Sequence, residues 1–231
     1  MKPIDDTDTG LELRSFGRRR GRKLSPRQQD LIDTLLPRIA IDLASPRDIA
    51  ALAAEHDLWL EIGFGGGEHL IAQAEQHRAV TIIGCEPFEE GQAKVLTAIA
   101  EKGIENIRLH GDDARDVLRA LPDRCVNRAF VLFPDPWPKK KHQKRRLVGS
   151  HLLQLLARVM KPKSELRLAT DIADYARTML MAVQQQRDFV WTAGEPDAWR
   201  TRPADWPPTR YEQKARREGR PCCYLTLQRT A

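Results

Sequence analysis

Leu58-Trp-Leu-Glu-Ile-Gly-Phe-Gly-Gly-Gly-Glu68, continuing as His69-Leu-Ile-Ala-Gln-Ala-Glu-Gln76, decides the fold. Its first five residues are an apolar run interrupted by one acid, the pattern of a strand buried within a sheet. Gly63, Gly65 and Gly67 then turn the chain, and apolar residues resume at helical spacing. Strand, glycine turn and helix form the opening unit of a parallel α/β sheet. The pattern recurs, with strands expected over 80–85, 107–110, 126–133 and 165–169. Helices are expected after them over 90–102, 114–121, 150–160 and 172–185. The segment 189–192, a Trp/Pro-rich loop, a charged helix over 211–218 and a strand over 223–228 complete the C-terminal region. The expected fold class is α/β: a mostly parallel sheet with helices on both faces.

Upstream of this unit, Ser25 and Pro26 are the N-cap and first-turn signals of a helix, and Leu31, Ile32, Leu35, Leu36 and Ile39 follow at helical spacing. A second short helix is expected over 46–54. Residues 1–24 are polar and charged without periodicity and are expected to form a disordered basic arm, with 25–231 as one domain. At 41% apolar residues, 231 positions suffice for a real core. No run approaches the roughly 20 apolar residues of a membrane span, and the N-terminus lacks the apolar stretch of a signal peptide. The four cysteines, Cys85, Cys125 and the adjacent Cys222 and Cys223, show no zinc-like spacing. A reduced, cytoplasmic, metal-free protein is the expectation, with no membrane partner.

Charge is concentrated. Thirteen of the 38 basic residues fall in two acid-free stretches, seven over 14–27 and six over 139–146. The remainder holds 25 basic against 32 acidic residues, so two basic segments stand on an acidic body. That is a localised anion-binding design.

Acids recur where the strands end: Glu61, Glu86, Asp113, Asp135 and Asp171. In an open parallel sheet those ends form one rim, and ligands bind where strand order reverses. Five acids are therefore expected along one crevice, with helix capping as the competing role for Asp113 and Asp171. The glycine loop fails as a dinucleotide fingerprint, because Glu68 stands where the last glycine belongs, and no Gly-Lys-Ser/Thr follows. Its spacing, Glu61-x-Gly63-x-Gly65-x-Gly67, suits a nucleoside without pyrophosphate. Glu86 is placed to accept ribose hydroxyls, and Asp113 with Asp112 to reach an adenine amino group. S-adenosyl-L-methionine meets all of these demands: an adenosine, a sulfonium cation and no phosphate.

Ala129-Phe-Val-Leu-Phe-Pro-Asp-Pro-Trp-Pro-Lys-Lys-Lys-His-Gln-Lys-Arg-Arg146 sets the chemistry. A buried strand breaks at Pro134, presents Asp135 and Trp137 among prolines, and runs into a basic segment. Trp137 is a candidate stacking surface for a base, with packing on its own prolines as the alternative. Trp191, Trp199 and Trp206 read as packing residues of the C-terminal region.

These segments resemble the bacterial tRNA (guanine-N7-)-methyltransferases, a family of Rossmann-like class I methyltransferases. The resemblance is carried by 61–68, Glu86-Pro-Phe88, Asp113-Ala114, Phe133-Pro-Asp-Pro-Trp137 with Lys139 and Lys144-Arg-Arg146, Ala169-Thr-Asp171 and Thr209-Arg-Tyr-Glu212. It implies methyl transfer from S-adenosylmethionine to N7 of a guanine in tRNA. It further implies cofactor contacts from Glu61, Glu86, Pro87, Asp113 and Asp135, with Asp135 also catalytic. Lys139, Asp171, Thr209, Arg210, Tyr211 and Glu212 are the implied substrate contacts, and Lys141, His142, Gln143, Lys144, Arg145 and Arg146 the RNA contacts. Two other readings compete. One is amino-methyl transfer at a related Asp-Pro-x-aromatic corner; the other is an RNA-binding protein that keeps the fold without the reaction.

Overall fold

In the computed structural model, which describes residues 17, 19–55, 57–195 and 197–231, Ser25 caps helix α1 (Pro26–Thr34). Its hydroxyl accepts from the Gln28 N–H at 3.2 Å, and the Gln28 side chain accepts from the Ser25 N–H at 3.1 Å. The single amphipathic segment expected here is two helices. Pro37 lacks the N–H that would continue the ladder, and α2 (Leu36–Ile39) restarts around it. α3 (Pro46–Glu55) then leads into the sheet.

The expected alternation follows: β1 (Asp57–Ile62), α4 (Glu68–Gln76), β2 (Val80–Cys85), α5 (Glu89–Lys102), β3 (Ile107–His110), α6 (Ala114–Ala120) and β4 (Val126–Leu132). Next come α7 (Ser150–Val159), β5 (Met160–Thr170), α8 (Ala173–Gln186), β6 (Phe189–Trp191), α9 (Arg210–Arg217) and β7 (Cys223–Arg229). Among the described residues the seven strands form one sheet in the order β3-β2-β1-β4-β5-β7-β6. Strands β1 to β5 pair in parallel, while β7 runs antiparallel to both β5 and β6. Strand order therefore reverses between β1 and β4, and the loops after those two strands meet there.

Strand parity divides the core into two layers. Leu58, Leu60 and Ile62 of β1 and Ala129 and Val131 of β4 face the layer containing Ile49, Leu118, Leu153 and Tyr175, on α3, α6, α7 and α8. Trp59, Phe130 and Leu132 face the opposite layer, with Leu70 of α4, Leu96 of α5 and Trp206. Both faces of the sheet are thus covered, as parallel strands require.

Most boundaries fall within one residue of the sequence expectation; the start of β5 does not. β5 begins at Met160 rather than 165, because Met160 is fully buried and pairs with Val126. Lys161, Pro162 and Lys163 hid this start, and Lys163, at φ 65°, accompanies a register shift in the pairing with β4. The basic run is not an open loop: Lys140–Arg145 winds into a 3-10 turn. Trp206 is buried as expected of a packing residue, but Trp191 is 42% exposed on the edge strand β6. No helix among the described residues is long and apolar enough to cross a membrane.

Candidate active site

The rim at the strand-order reversal encloses a cavity of about 370 Å³. Its wall brings together the glycine loop after β1 (Gly63, Gly65), the turn after β2 (Glu86, Pro87, Phe88), the start of α6 (Asp113, Arg115) and the corner after β4 (Phe133, Pro134, Asp135, Trp137). Lys144, Arg145, Arg146 and Leu147, Tyr211 of α9 and Asp112 also line it.

Glu86 follows the last residue of β2 and is held on both oxygens. Oε2 accepts from the Gly65 N–H at 2.7 Å, and Oε1 from the Phe88 N–H at 3.0 Å. Burial pushes its carboxyl above the usual range and nearby Asp135 adds to the rise, while the two backbone donors and Arg210 oppose it. Hydrogen bonds to a charged group contribute about 1.5–3 kcal/mol each, so this side chain ties the turn after β2 to the glycine loop. Gly65 sits at φ 57°, and a β-carbon there would stand 3.0 Å from the Tyr211 ring. Gly67 (φ 81°) lies off the wall; a β-carbon there would meet Val95 of α5 at 2.2 Å. That glycine lets α4 start close against α5.

Asp113 caps α6 by accepting from the Arg115 N–H at 3.0 Å, and its second oxygen takes the Arg115 guanidinium at 2.5 Å. Capping and a place on the cavity wall are combined in one residue. Its neighbour Asp112 accepts from Arg19 at 2.5 Å, and the Glu89 N–H donates to the Arg19 carbonyl at 3.0 Å. The described end of the basic arm therefore runs along this rim, whereas residues 1–16 and 18 lie outside the described residues.

Asp135 presents its carboxylate differently. Among the described residues it makes no hydrogen bond, and desolvation at the cavity wall raises its carboxyl above the ordinary value. The backbone on both sides is unusual: Phe133 at φ 52° and Trp137 at φ 42° occupy a region that L-residues seldom adopt. Trp137 carries the Arg145 guanidinium 5.0 Å from its ring centre and the His142 ring edge-on at 5.8 Å. A cation therefore lies over that ring.

Five sequence-predicted acids were expected along the crevice; three reach it. Glu61 does not, because it is the penultimate residue of β1 and its parity turns it under α4. It is 3% exposed, with its carboxylate 2.7 Å from His69 Nδ1. Asp171 is also off the wall and accepts from Arg220 Nε at 2.7 Å. Thr209 caps α9, accepting from the Glu212 N–H at 3.2 Å. Glu212 is buried against Arg202 at 3.2 Å and Arg216 at 2.6 Å. Arg210 pairs with Glu68 at 3.4 Å, while Tyr211 reaches the cavity.

The RNA-facing set also divides. Lys139 and Lys141 are exposed beside the cavity, and Lys144 is exposed on its wall. Gln143 donates to Asp174 at 2.9 Å. Arg146 also lines the cavity, yet its side chain is 2% exposed and engaged by Asp174 and Thr178 of α8. Phe88 and Arg115 are among the wall residues absent from the predicted sites. Both adjoin predicted acids, and proximity to Glu86 and Asp113 was the available signal. Among the described residues no group of three or more His, Cys, Asp or Glu is placed to hold a metal ion.

Known proteins are similar to this chain over most of its length. Residues 55–225 match the family described as "Putative methyltransferase". The chain is 47% identical to the tRNA (guanine-N(7)-)-methyltransferase of Rhodospirillum rubrum, over 99% of this chain and 90% of the relative. It is 50% identical to the protein of that name from Hyphomonas neptunium, over 87% of this chain and 93% of the relative. The 16S rRNA (adenine(1408)-N(1))-methyltransferase structure from Catenulisporales acidiphilia shares the fold, with a TM-score of 0.55 at 16% identity over 83% of this chain and 92% of that one. The sheet order, the carboxylate-lined cavity at its reversal and identity near one half along almost the whole chain place this protein in the tRNA (guanine-N(7)-)-methyltransferase family.

Proposed function

We infer that this protein transfers the methyl group of S-adenosyl-L-methionine to N7 of a guanine in tRNA. The observation that carries this reading is the convergence of Glu86, Asp113 and Asp135 with the glycine loop on one cavity at the strand-order reversal. The donor chemistry fits the cofactor. Carboxylates around a glycine turn suit a cationic nucleoside and would repel a pyrophosphate. Glu86 would hold the ribose hydroxyls through the lone pairs its backbone donors leave open, Pro87 and Phe88 would flank the nucleoside, and Asp113 would border the adenine edge. Bound there, S-adenosylmethionine supplies an electrophilic methyl group on a positively charged sulfur.

Guanine N7 has an in-plane lone pair and no proton, so no general base is needed to create the nucleophile. The chain must hold the purine in line with the methyl group and tolerate the positive charge the ring acquires. Alignment alone contributes several kcal/mol. Asp135 is the carboxylate that answers the charge, fixed at the wall with its oxygens uncommitted to the protein. Loss of solvating water on substrate binding would strengthen that interaction. A-form RNA hides N7 in a deep, narrow groove that side chains cannot read, so the target guanine lies in a loop or open junction. Lys144 and Arg145 line the cavity and, with the exposed Lys139 and Lys141 of the same run, are suited to the adjacent phosphates. Tyr211 is the member of the Thr209–Glu212 group best placed to touch the substrate directly.

Incubation with labelled S-adenosylmethionine and unmodified tRNA, followed by nucleoside analysis, tests the assignment. The expected product is 7-methylguanosine. A different methylated nucleoside would move the target atom, and binding of tRNA without transfer would leave an RNA-binding protein.

A further inference from the structure

Arg146 ends the basic run, yet its surroundings are those of an internal fastener. Nε donates to the Pro136 carbonyl at 3.0 Å. Nη1 donates to Thr178 Oγ1 at 2.5 Å and to the Asp174 carbonyl at 3.3 Å, and Nη2 to Asp174 Oδ2 at 2.5 Å. The guanidinium also lies 4.9 Å from the centre of the Tyr175 ring. Tyr175 is fully buried, and its hydroxyl accepts from the Val148 N–H at 3.0 Å. Gln143 adds a second tie from the same turn to Asp174.

The Pro136 carbonyl belongs to the Pro136–Trp137 peptide, directly after Asp135. Trp137 is one of the residues held at positive φ, a conformation that persists only where the surroundings impose it. Arg146 is the side chain that fixes this peptide to α8, and a planar fork is suited to binding a carbonyl, a hydroxyl and a carboxylate at once. We propose that Arg146 and Asp174 form a positioning pair that sets the Asp135 corner, and that Arg146 contacts no phosphate of the RNA. The proposal rests on the reading of Asp135 as the carboxylate that faces the reacting base.

The test compares Arg146→Lys, Asp174→Ala and Lys141→Ala in the full chain, each checked for an unchanged fold by circular dichroism. Turnover and KM for unmodified tRNA are measured, together with the slope of tRNA affinity against salt. Arg146→Lys keeps the charge and loses the fork; its kcat is expected to fall between about 10- and 100-fold, as small misplacements do, with the salt slope unchanged. Asp174→Ala removes the solvent-exposed end of the pair and is expected to lower kcat in the same direction by a smaller factor, which covers the case of an Arg146 variant that does not fold. Lys141→Ala is expected to reduce the salt slope by about one and supplies the reference for a lost phosphate contact. Full kcat in both positioning variants would overturn the proposal. A salt slope changed in Asp174→Ala or Arg146→Lys as it is in Lys141→Ala would overturn it too, by making this end of the turn part of the phosphate contact. A wild type that binds tRNA but transfers no methyl group would instead overturn the reading of Asp135, and the proposal with it.

Discussion

The two halves of the cavity are built on opposite plans. On the side of β2 and β3 the polar groups are already engaged: Glu86 holds two backbone N–H groups and Asp113 holds Arg115. On the side of β4 the carboxylate of Asp135 has no hydrogen-bond partner among the described residues, and it sits in backbone bent to positive φ at Phe133 and Trp137. Basic residues crowd that second half. One half is complete before any ligand arrives, as suits a small cofactor of fixed shape. The other is a set of charges held in place from behind, which suits a large substrate that brings its own framework. Binding and chemistry should therefore separate under mutation.

The largest separation is expected at Asp135. Asp135→Asn should lower single-turnover methyl transfer by about 10²–10³-fold, the usual effect of removing one preorganised electrostatic group. Cofactor affinity, measured by calorimetry, should stay within about threefold, since Glu86 and its loop are untouched. Near-normal transfer in this variant would reduce Asp135 to a loop residue and erase the contrast.

Glu86→Ala should give the opposite pattern. Losing the acceptor for the Gly65 and Phe88 N–H groups, along with the ribose contact, is expected to weaken S-adenosylmethionine binding by about 10- to 100-fold, given roughly 1.5–3 kcal/mol for each bond to a charged group. Glu86→Gln should recover part of that loss. Unchanged affinity in Glu86→Ala would mean that the first half is not the cofactor half.

A smaller effect concerns pH. Both Glu86 and Asp135 have carboxyls raised by burial, and each is needed in its charged form. Activity should therefore begin to fall on acidification above the ordinary carboxylate range. Stability should move the other way. A carboxyl whose folded pKa exceeds its unfolded value adds stability at low pH, and that contribution is lost as pH rises through the folded value. Relative to wild type, Asp135→Asn should thus unfold at an equal or higher temperature near neutral pH and at a more nearly equal one in acid. A variant less stable than wild type at neutral pH would show that Asp135 supports the fold after all.

Much of this was written in local pattern. The strand–glycine–helix unit, the parity of β1 and β4 and the acids after β2, β3 and β4 rest on period and spacing alone, which is why the sheet and three wall carboxylates could be read directly. Glu61 lies off the cavity wall for the same physical reason. A strand turns successive side chains to opposite faces, so an acid one residue before the strand end points beneath a helix while one just beyond it reaches the rim. Arg146 was illegible from its own neighbourhood. Six basic residues in eight positions look alike in sequence, and only α8, brought alongside by the fold, distinguishes the buried guanidinium from the exposed ones. Asp171, Thr209 and Glu212 likewise take their partners, caps and ion pairs, from tertiary packing and local turns rather than from the cavity.

The contrast between the halves is tested most directly by titrating S-adenosylmethionine into the protein calorimetrically, with and without saturating unmodified tRNA under conditions too short for turnover. A cofactor half complete on its own predicts binding without tRNA and dissociation constants within about threefold of each other. Binding that appears only once tRNA is present would contradict this account, because the cofactor half would then be assembled by the substrate.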